Sequence, residues 1–279
     1  AARLAELSRR FGVSPELLAH ALDVDERPRF QTEGGATLVV LRAPARRGEG
    51  GLPRVTVAFG AIVGDGFALT VCRHDNDVVR ELGRRAARLR APRTPQAALV
   101  HALEVTADAY LASLAELNQA IEAAEDGLRE AIENRGVLEL LTYQKSLVHF
   151  TNALHSTELM FERLRKTSAL RLGPEDQAWL DEVRVEFRQA LDTSTVARDI
   201  LSETMDAFAS IISNNLNVVM KFLASATLVL TLPVAVASFY GMNVALPGQH
   251  SPSAFPALLA VSLALSAALA FVFRRRRWL

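Results

Sequence analysis

After Asp206 the chain contains no aspartate or glutamate at all, and its only positive charges there are Lys221 and Arg274, Arg275, Arg276 and Arg277. Up to Asp206, 31 acidic residues meet 26 basic ones, so the formal net charge of zero averages a first part at −5 with a tail at +5. Cysteine is limited to Cys72, which excludes an internal disulfide and fits a reducing compartment. Half of the residues are apolar, so neither a disordered chain nor a nucleic-acid-binding partner surface is indicated. No nucleotide-binding motif appears. No secretory signal is visible at the N-terminus, where Arg3, Arg9 and Arg10 interrupt a helical pattern, so the large first part is expected to stay in the cytoplasm.

The tail has what the first part lacks. Phe222 to Phe239 is an uncharged run of 18 residues and Phe255 to Phe273 one of 19, each near the length that crosses hydrocarbon. Lys221 precedes the first and the arginine cluster follows the second, while Gly241 to Ala254 carries no Lys or Arg. The positive-inside bias therefore predicts two spans with both termini cytoplasmic and a short loop outside, in a bacterial-type inner membrane. Neither span holds a carboxylate that would relay protons.

The first part reads as a mixed α/β head followed by long helices. Two short amphipathic helices, Arg3–Phe11 and Pro15–Leu22, precede "TLVVLRA", "RVTVAFGAIV" and "FALTVCR", strand-like segments divided by Gly, Pro and "GDG" that suggest a small, largely antiparallel sheet. "CRHDND" carries ligand-type side chains, but its spacing matches no zinc pattern and a strand-to-helix turn with an Asn or Asp cap uses the same letters. Helical periodicity follows over Pro95–Glu133, Gly136–Leu170 and from Pro174 onward. No glycine occurs from Pro174 to Phe239 and Pro233 is the one internal proline, so the last cytoplasmic helix is expected to run into the first span, on the order of 100 Å in all. A rod of that length calls for oligomerisation. The expected division is an α/β domain over 1–94, a helical hairpin over 95–173, the stalk and first span over 174–240, the outer loop over 241–254, and the second span with its basic tail over 255–279.

Steps of three and four from Asp199 trace a seam through Glu203, Asp206, Ser210, Ser213, Asn217, Met220, Ala224, Thr227, Thr231, Val234 and Ser238. It is polar or small almost throughout, while Ile211, Leu216, Leu223, Leu228 and Leu230 lie beside it. Of the four hydroxyl residues in the span, Thr227, Thr231 and Ser238 are on the seam and Ser225 is not. Hydroxyls and amides need partners inside hydrocarbon, which copies around a watery axis supply. Small residues that let helices approach closely give the same spacing. The carboxylates that continue the seam favour a cation path. At its far end Gly241 frees the backbone and Asn243 offers an amide oxygen, a neutral ring that hydrogen-bonds to the waters of Mg²⁺ rather than replacing them.

"NNLNVVMK" at Asn214–Lys221, a proline-bearing span, "YGMN" at Tyr240–Asn243, a second span and the terminal "RRRRWL" resemble the CorA family of divalent-cation transporters over essentially the whole chain. The resemblance implies a funnel-shaped homopentamer with the first span lining the pore, and passive uptake of hydrated Mg²⁺, often with Co²⁺ or Ni²⁺, that closes when cytoplasmic Mg²⁺ binds between subunits. It puts the selectivity motif on Gly241, Met242 and Asn243, the inner gate on Asn217, Met220 and Leu223 or Ala224, a polar ring near Thr227 or Thr231, and the lower acidic residue near Asp206. Many members follow GMN with an acidic "MPEL" loop; "VALPGQHSPSAF" has no acid and looks like a branch reading "GMNV-LP". The regulatory metal site draws on Asp181 or Glu182, with the neutral Gln96 near the matching head position.

No cofactor is expected beyond the transported ion, and no enzymatic step. Two alternatives stand beside this reading. One is a zinc or other transition-metal carrier on the same scaffold, with His250 near the mouth. The other is a membrane-anchored scaffolding or signalling oligomer using the basic segment "ELGRRAARLR" at Glu81–Arg90, which a solvated helix face explains equally.

Overall fold

The computed structural model describes the chain except residues 1, 24, 47–53, 88–93, 131–133, 168–169, 245, 247, 249–250 and 279. Pro247 and His250 of the loop and Arg88–Arg90 at the end of the basic segment thus lie outside the described residues.

Helix α1 (Ala2–Phe11) leads to α2 (Pro15–Ala21), which starts where the Ser14 hydroxyl accepts the Leu17 amide and Pro15 supplies a preset first position. Four strands follow, β1 (Arg29–Glu33), β2 (Ala36–Arg46), β3 (Arg54–Gly64) and β4 (Phe67–Cys72), each antiparallel to the next in one meander. Strand β1 was not among the expected strands. "RFQTE" has one large apolar residue, and it is held instead by the tight Gly34–Gly35 turn, both glycines at positive φ, which sets Thr32 opposite Thr37. Asp65–Gly66 closes the β3–β4 hairpin in the same two-residue fashion, with Gly66 at φ +76°. Pro44 is tolerated inside β2 because β1 ends its pairing at Val40, leaving Pro44 partnered only by Thr56 of β3.

The two faces of the sheet are both covered. Leu38, Val40, Ile62 and Val71 meet Leu17, Leu18 and Ala21. Gly60, paired with Val40 and Val71, is where α2 comes closest: a Cβ there would lie 2.6 Å from the Ala21 Cβ. Val39, Leu41, Ala43, Phe59 and Ala61 are buried on the other side, against which α4 (Pro95–Glu130) and α5 (Asn134–Arg165) pack. Burial on both faces is why β2 reads as a continuous apolar run rather than an alternating one.

Helix α3 (Asp77–Ala87) is capped by Asn76, whose Oδ1 accepts the Val79 amide at 3.0 Å, so "CRHDND" is the strand-to-helix turn. Cys72 ends β4, and burial followed by the nearby Asp75 pushes its thiol above the usual range, against a nucleophilic role. Tyr110 of α4 donates to the Arg42 carbonyl at 2.6 Å and meets Phe150 of α5 edge-on at 5.4 Å, tying helices to sheet. Phe161 and Phe187 add α6 (Pro174–Tyr240) to that cluster. The last helix is α7 (Ala254–Arg275).

The chain forms two compact units, Ala1–Met205 and Asp206–Leu279, and α6 contributes to both as one unbroken helix of 67 residues. Its apolar end and α7 are each long and apolar enough to cross a membrane, with mean hydropathy over 18 residues of 2.0 and 2.3.

Candidate ion pathway

Within the second unit, α6 has two faces of opposite fate. Ser225, Val229, Leu232 and Val236 recur at helical spacing and are buried or half-buried. They form the stripe on which α7 packs: Ser266 of α7 donates to the Val229 carbonyl at 3.2 Å, and Val236 shares a cavity with Phe255, Leu258 and Ser262. On a 3.6-residue helix the seam lies roughly 150° around from that stripe. Every seam residue from Asp206 through Ser210, Ser213, Asn217, Met220, Ala224, Thr227, Thr231 and Val234 to Ser238 is exposed in the single chain.

The hydroxyls sharpen this division and correct one premise. Ser225, the one span hydroxyl off the seam, is fully buried and donates to the Lys221 carbonyl at 2.7 Å. Thr227 donates to Leu223 O at 2.8 Å and Thr231 to Thr227 O at 2.7 Å. Their protons are therefore satisfied by the helix itself, and a watery axis is not required to rescue them. What remains on offer is the other half of each hydroxyl. With its proton committed, the oxygen faces outward as an acceptor only, the polarity that the donating waters of a hydrated cation require.

Helix α6 ends at Tyr240, and the motif turns immediately. The Gly241 amide reaches the Ala237 carbonyl at 2.9 Å and the Met242 amide reaches Phe239 O at 3.4 Å. Gly241 does not adopt positive φ, and a Cβ there would sit 3.2 Å from the Ala237 oxygen, a tight contact. Met242 and Asn243 project exposed beyond the helix end, and the Asn243 amide has no partner among the described residues. Gly248, at φ +75°, turns the chain back toward α7. That helix ends with Arg277 in the left-handed region, which folds Trp278 onto Phe273 in a stacked pair at 5.6 Å and leaves four exposed guanidiniums together.

The regulatory candidates separate sharply. Asp181 lines a cavity together with Arg165, Arg171 and Arg184. Glu182 belongs to an acidic neighbourhood: burial first, then Asp108, Glu104 and Glu182, push the Glu186 carboxyl above its ordinary range. Gln96 is half-buried in the first turn of α4. No group of three His, Cys, Asp or Glu side chains suited to a metal occurs among the described residues. In the basic segment, Arg80 pairs with Asp75 and Asp77, Arg84 with Glu81, and Arg85 with Glu81 and Asp108, so these cations are committed within the fold. A partner-binding helix would keep them free.

An α/β head, one unbroken helix of 67 residues and two helices long and apolar enough to cross a membrane, joined through a Gly-Met-Asn turn, make up the architecture. The chain belongs to the CorA-like Mg²⁺ transporter family, whose model matches residues 1–275. It is 24% identical to the cobalt/magnesium transport protein CorA of Methanocaldococcus jannaschii, over 99% of this chain and 87% of that one. It is 23% identical to the protein of the same description from Thermotoga maritima, over 96% of this chain and 78% of that one. The complete structure of the M. jannaschii CorA magnesium transporter superposes with a TM-score of 0.87 at 24% identity, over 99% of this chain and 87% of that one. The whole fold, head and both apolar helices included, is therefore that of CorA.

Proposed function

We propose that this protein is a homo-oligomeric, expectedly pentameric, channel for passive entry of hydrated Mg²⁺, with Co²⁺ or Ni²⁺ as further cargo. The observation that carries the reading is the seam of α6: exposed along its whole length, turned away from α7, and ending at the exposed Asn243, whose amide has no partner among the described residues. Copies assembled about that seam put α6 on the axis and α7 outside against lipid. Both termini face the cytoplasm of a bacterial-type inner membrane. The proposed working parts follow the sequence divisions, with the head over 1–94, the hairpin over 95–173, the stalk and first span over 174–240, the outer loop over 241–254, and the second span with its basic tail over 255–279.

Each tier has its own chemistry. Gly241, Met242 and Asn243 present neutral oxygens at the mouth, which suits an ion that sheds its water reluctantly. Ser238, Thr231 and Thr227 continue as acceptors. Val234 interrupts them, and Ala224, Leu223 and Met220 form an apolar belt that closes by dewetting. Asn217, Ser213 and Ser210 restore polarity below, and Asp206 supplies a ring of negative charge at the cytoplasmic end. No covalent step and no resident cofactor is involved. A membrane potential of 100 mV gives a divalent ion about 4.6 kcal/mol of inward drive, so no energy-coupling machinery is needed.

For regulation by cytoplasmic Mg²⁺, Asp181 or Glu182 supplies the helix side, Glu182 from an acidic neighbourhood and Asp181 from a cavity that it shares with three arginines. Zinc selectivity has no support from the seam, which lacks thiol and imidazole ligands.

The test is ion flux into proteoliposomes holding the purified protein, with Mg²⁺, Co²⁺, Ni²⁺ and Zn²⁺ run side by side and Asn243→Ala as control. Mg²⁺ entry that the substitution abolishes or renders unselective is expected. Flux of Zn²⁺ alone would move the protein to a zinc carrier, and no flux from a folded oligomer stripped of internal Mg²⁺ would leave only a scaffold.

A further inference from the structure

Pro233 is the one proline in the interior of α6, and the helix continues past it to Tyr240. An α-helical carbonyl is met by the amide four residues on, and proline has no amide hydrogen. The Val229 carbonyl is therefore left open by its own helix. In a segment apolar enough to lie in hydrocarbon, no water replaces the missing donor.

Ser266 of α7 supplies it, with its hydroxyl donating to the Val229 oxygen at 3.2 Å. The choice of acceptor sets this serine apart from other hydroxyls of the two apolar helices. Ser225, Thr227 and Thr231 each donate to the carbonyl four residues back in α6, and Ser262 donates to the Leu259 carbonyl of its own helix α7. Ser266 instead reaches across to the neighbouring helix, and the carbonyl it takes is the one that Pro233 opens.

Just beyond this contact the two helices part. Pro233, Val236 and Tyr240 on one side and Phe255, Leu258 and Ser262 on the other line a cavity of about 530 Å³. The last turns of α6 thus have a pivot at Pro233 and room on the α7 side. About 10 Å of helix separates Pro233 from Tyr240, so a change of bend of about 20°, the scale of a proline kink, displaces the Gly241–Asn243 turn by about 3.5 Å.

We propose that Ser266 is a positioning residue for the ion mouth: its hydroxyl stands in for the amide that Pro233 lacks and fixes the bend at which α6 presents Met242 and Asn243. The positioning role rests on the reading that α6 lines the ion path. The hydroxyl clip itself does not.

The experiment compares Ser266→Ala, Ser266→Thr, Pro233→Ala and the double variant Pro233→Ala/Ser266→Ala as full-length oligomers, by hydrogen–deuterium exchange of the purified protein and by Mg²⁺ entry into proteoliposomes. Pro233→Ala restores an amide for the Val229 carbonyl, so the serine becomes dispensable in that background. Ser266→Ala is expected to speed exchange over 234–241 at least tenfold and to lower Mg²⁺ entry several-fold. Ser266→Thr should keep both near wild type, and the double variant should match Pro233→Ala. A serine that merely fills space would cost the same in either background. The clip is overturned by unchanged exchange in Ser266→Ala, or by changes of equal size in the proline and alanine backgrounds. Faster exchange with unchanged Mg²⁺ entry overturns the positioning role. A wild type without Mg²⁺ entry defeats the transport reading and the positioning role with it, whereas the exchange pattern still decides the clip.

Discussion

The two units of this chain solve opposite problems with similar residues. In Ala1–Met205 the sheet is covered on both faces, and β2 is buried along nearly its whole length by helices of the same chain. In Asp206–Leu279 the situation is reversed: only 6% of the first span's most apolar window and 11% of the second's are buried. The sheet of the first unit is sealed within one copy, although Leu138, Leu159, Val185, Val196 and Ile200 stay exposed on its helices. The second leaves both its apolar surface and its polar seam exposed in the single chain. Ser225 and Thr227 show the contrast within two residues. Both hydroxyls donate to the carbonyl four residues back, yet the first is sealed on the α7 stripe and the second is open. A hydroxyl inside a membrane helix therefore does not mark a water path. Its face relative to the neighbouring helix does.

The largest effect should come from forcing the closed unit open. Gly60→Val drives a branched side chain into Ala21, and we expect about 3 kcal/mol or more of destabilisation in thermal unfolding of the full chain. In the open unit the strongest change should fall on flux rather than on stability. Asn243→Ala is expected to abolish Mg²⁺ entry or render it unselective, with an unchanged unfolding temperature. The pair Ser225→Leu and Thr231→Val sharpens the contrast between the two faces. The first overfills the α7 stripe and should cost roughly 1–3 kcal/mol. The second should leave stability alone while lowering flux several-fold.

The smallest effect belongs to the acidic neighbourhood around Glu182. Burial and the surrounding carboxylates raise the Glu186 carboxyl in the folded protein, so its ionised form is disfavoured there. Folding is then opposed by Glu186 above its folded pKa, and the opposition vanishes below the unfolded carboxylate pKa of about 4.3. Glu186→Gln should raise the unfolding temperature slightly at neutral pH and have no effect near pH 4.

Much of this was legible in the sequence because each part announces itself through a different local rule. The absence of glycine from Pro174 to Phe239 foretold the unbroken α6, and its three-four spacing put Ser225 on one face and Thr227, Thr231 and Ser238 on another. Strand β1 escaped because its pairing is set by the Gly34–Gly35 turn rather than by its own weak pattern. "EGGA" carried that turn signal between Glu33 and Ala36. What the sequence did not show about Asp181 is that Arg165 and Arg171 share its cavity, from the preceding helix end and turn. Gly241 was assigned to backbone freedom, whereas its φ is not positive and the space for a Cβ is narrowed by the Ala237 carbonyl one turn below, a contact that no local pattern signals.

The most direct test of the central claim, that the α6 seam faces a water-filled path, is thiol accessibility in the assembled membrane protein. Single cysteines would be introduced in a Cys72→Ser background, Thr227→Cys and Thr231→Cys on the seam, Val229→Cys and Leu232→Cys on the stripe. A membrane-impermeant thiol reagent should label the two seam positions, protected by millimolar Mg²⁺, and leave the two stripe positions unmodified. Labelling of Val229→Cys and Leu232→Cys with protection of the seam thiols would contradict the account.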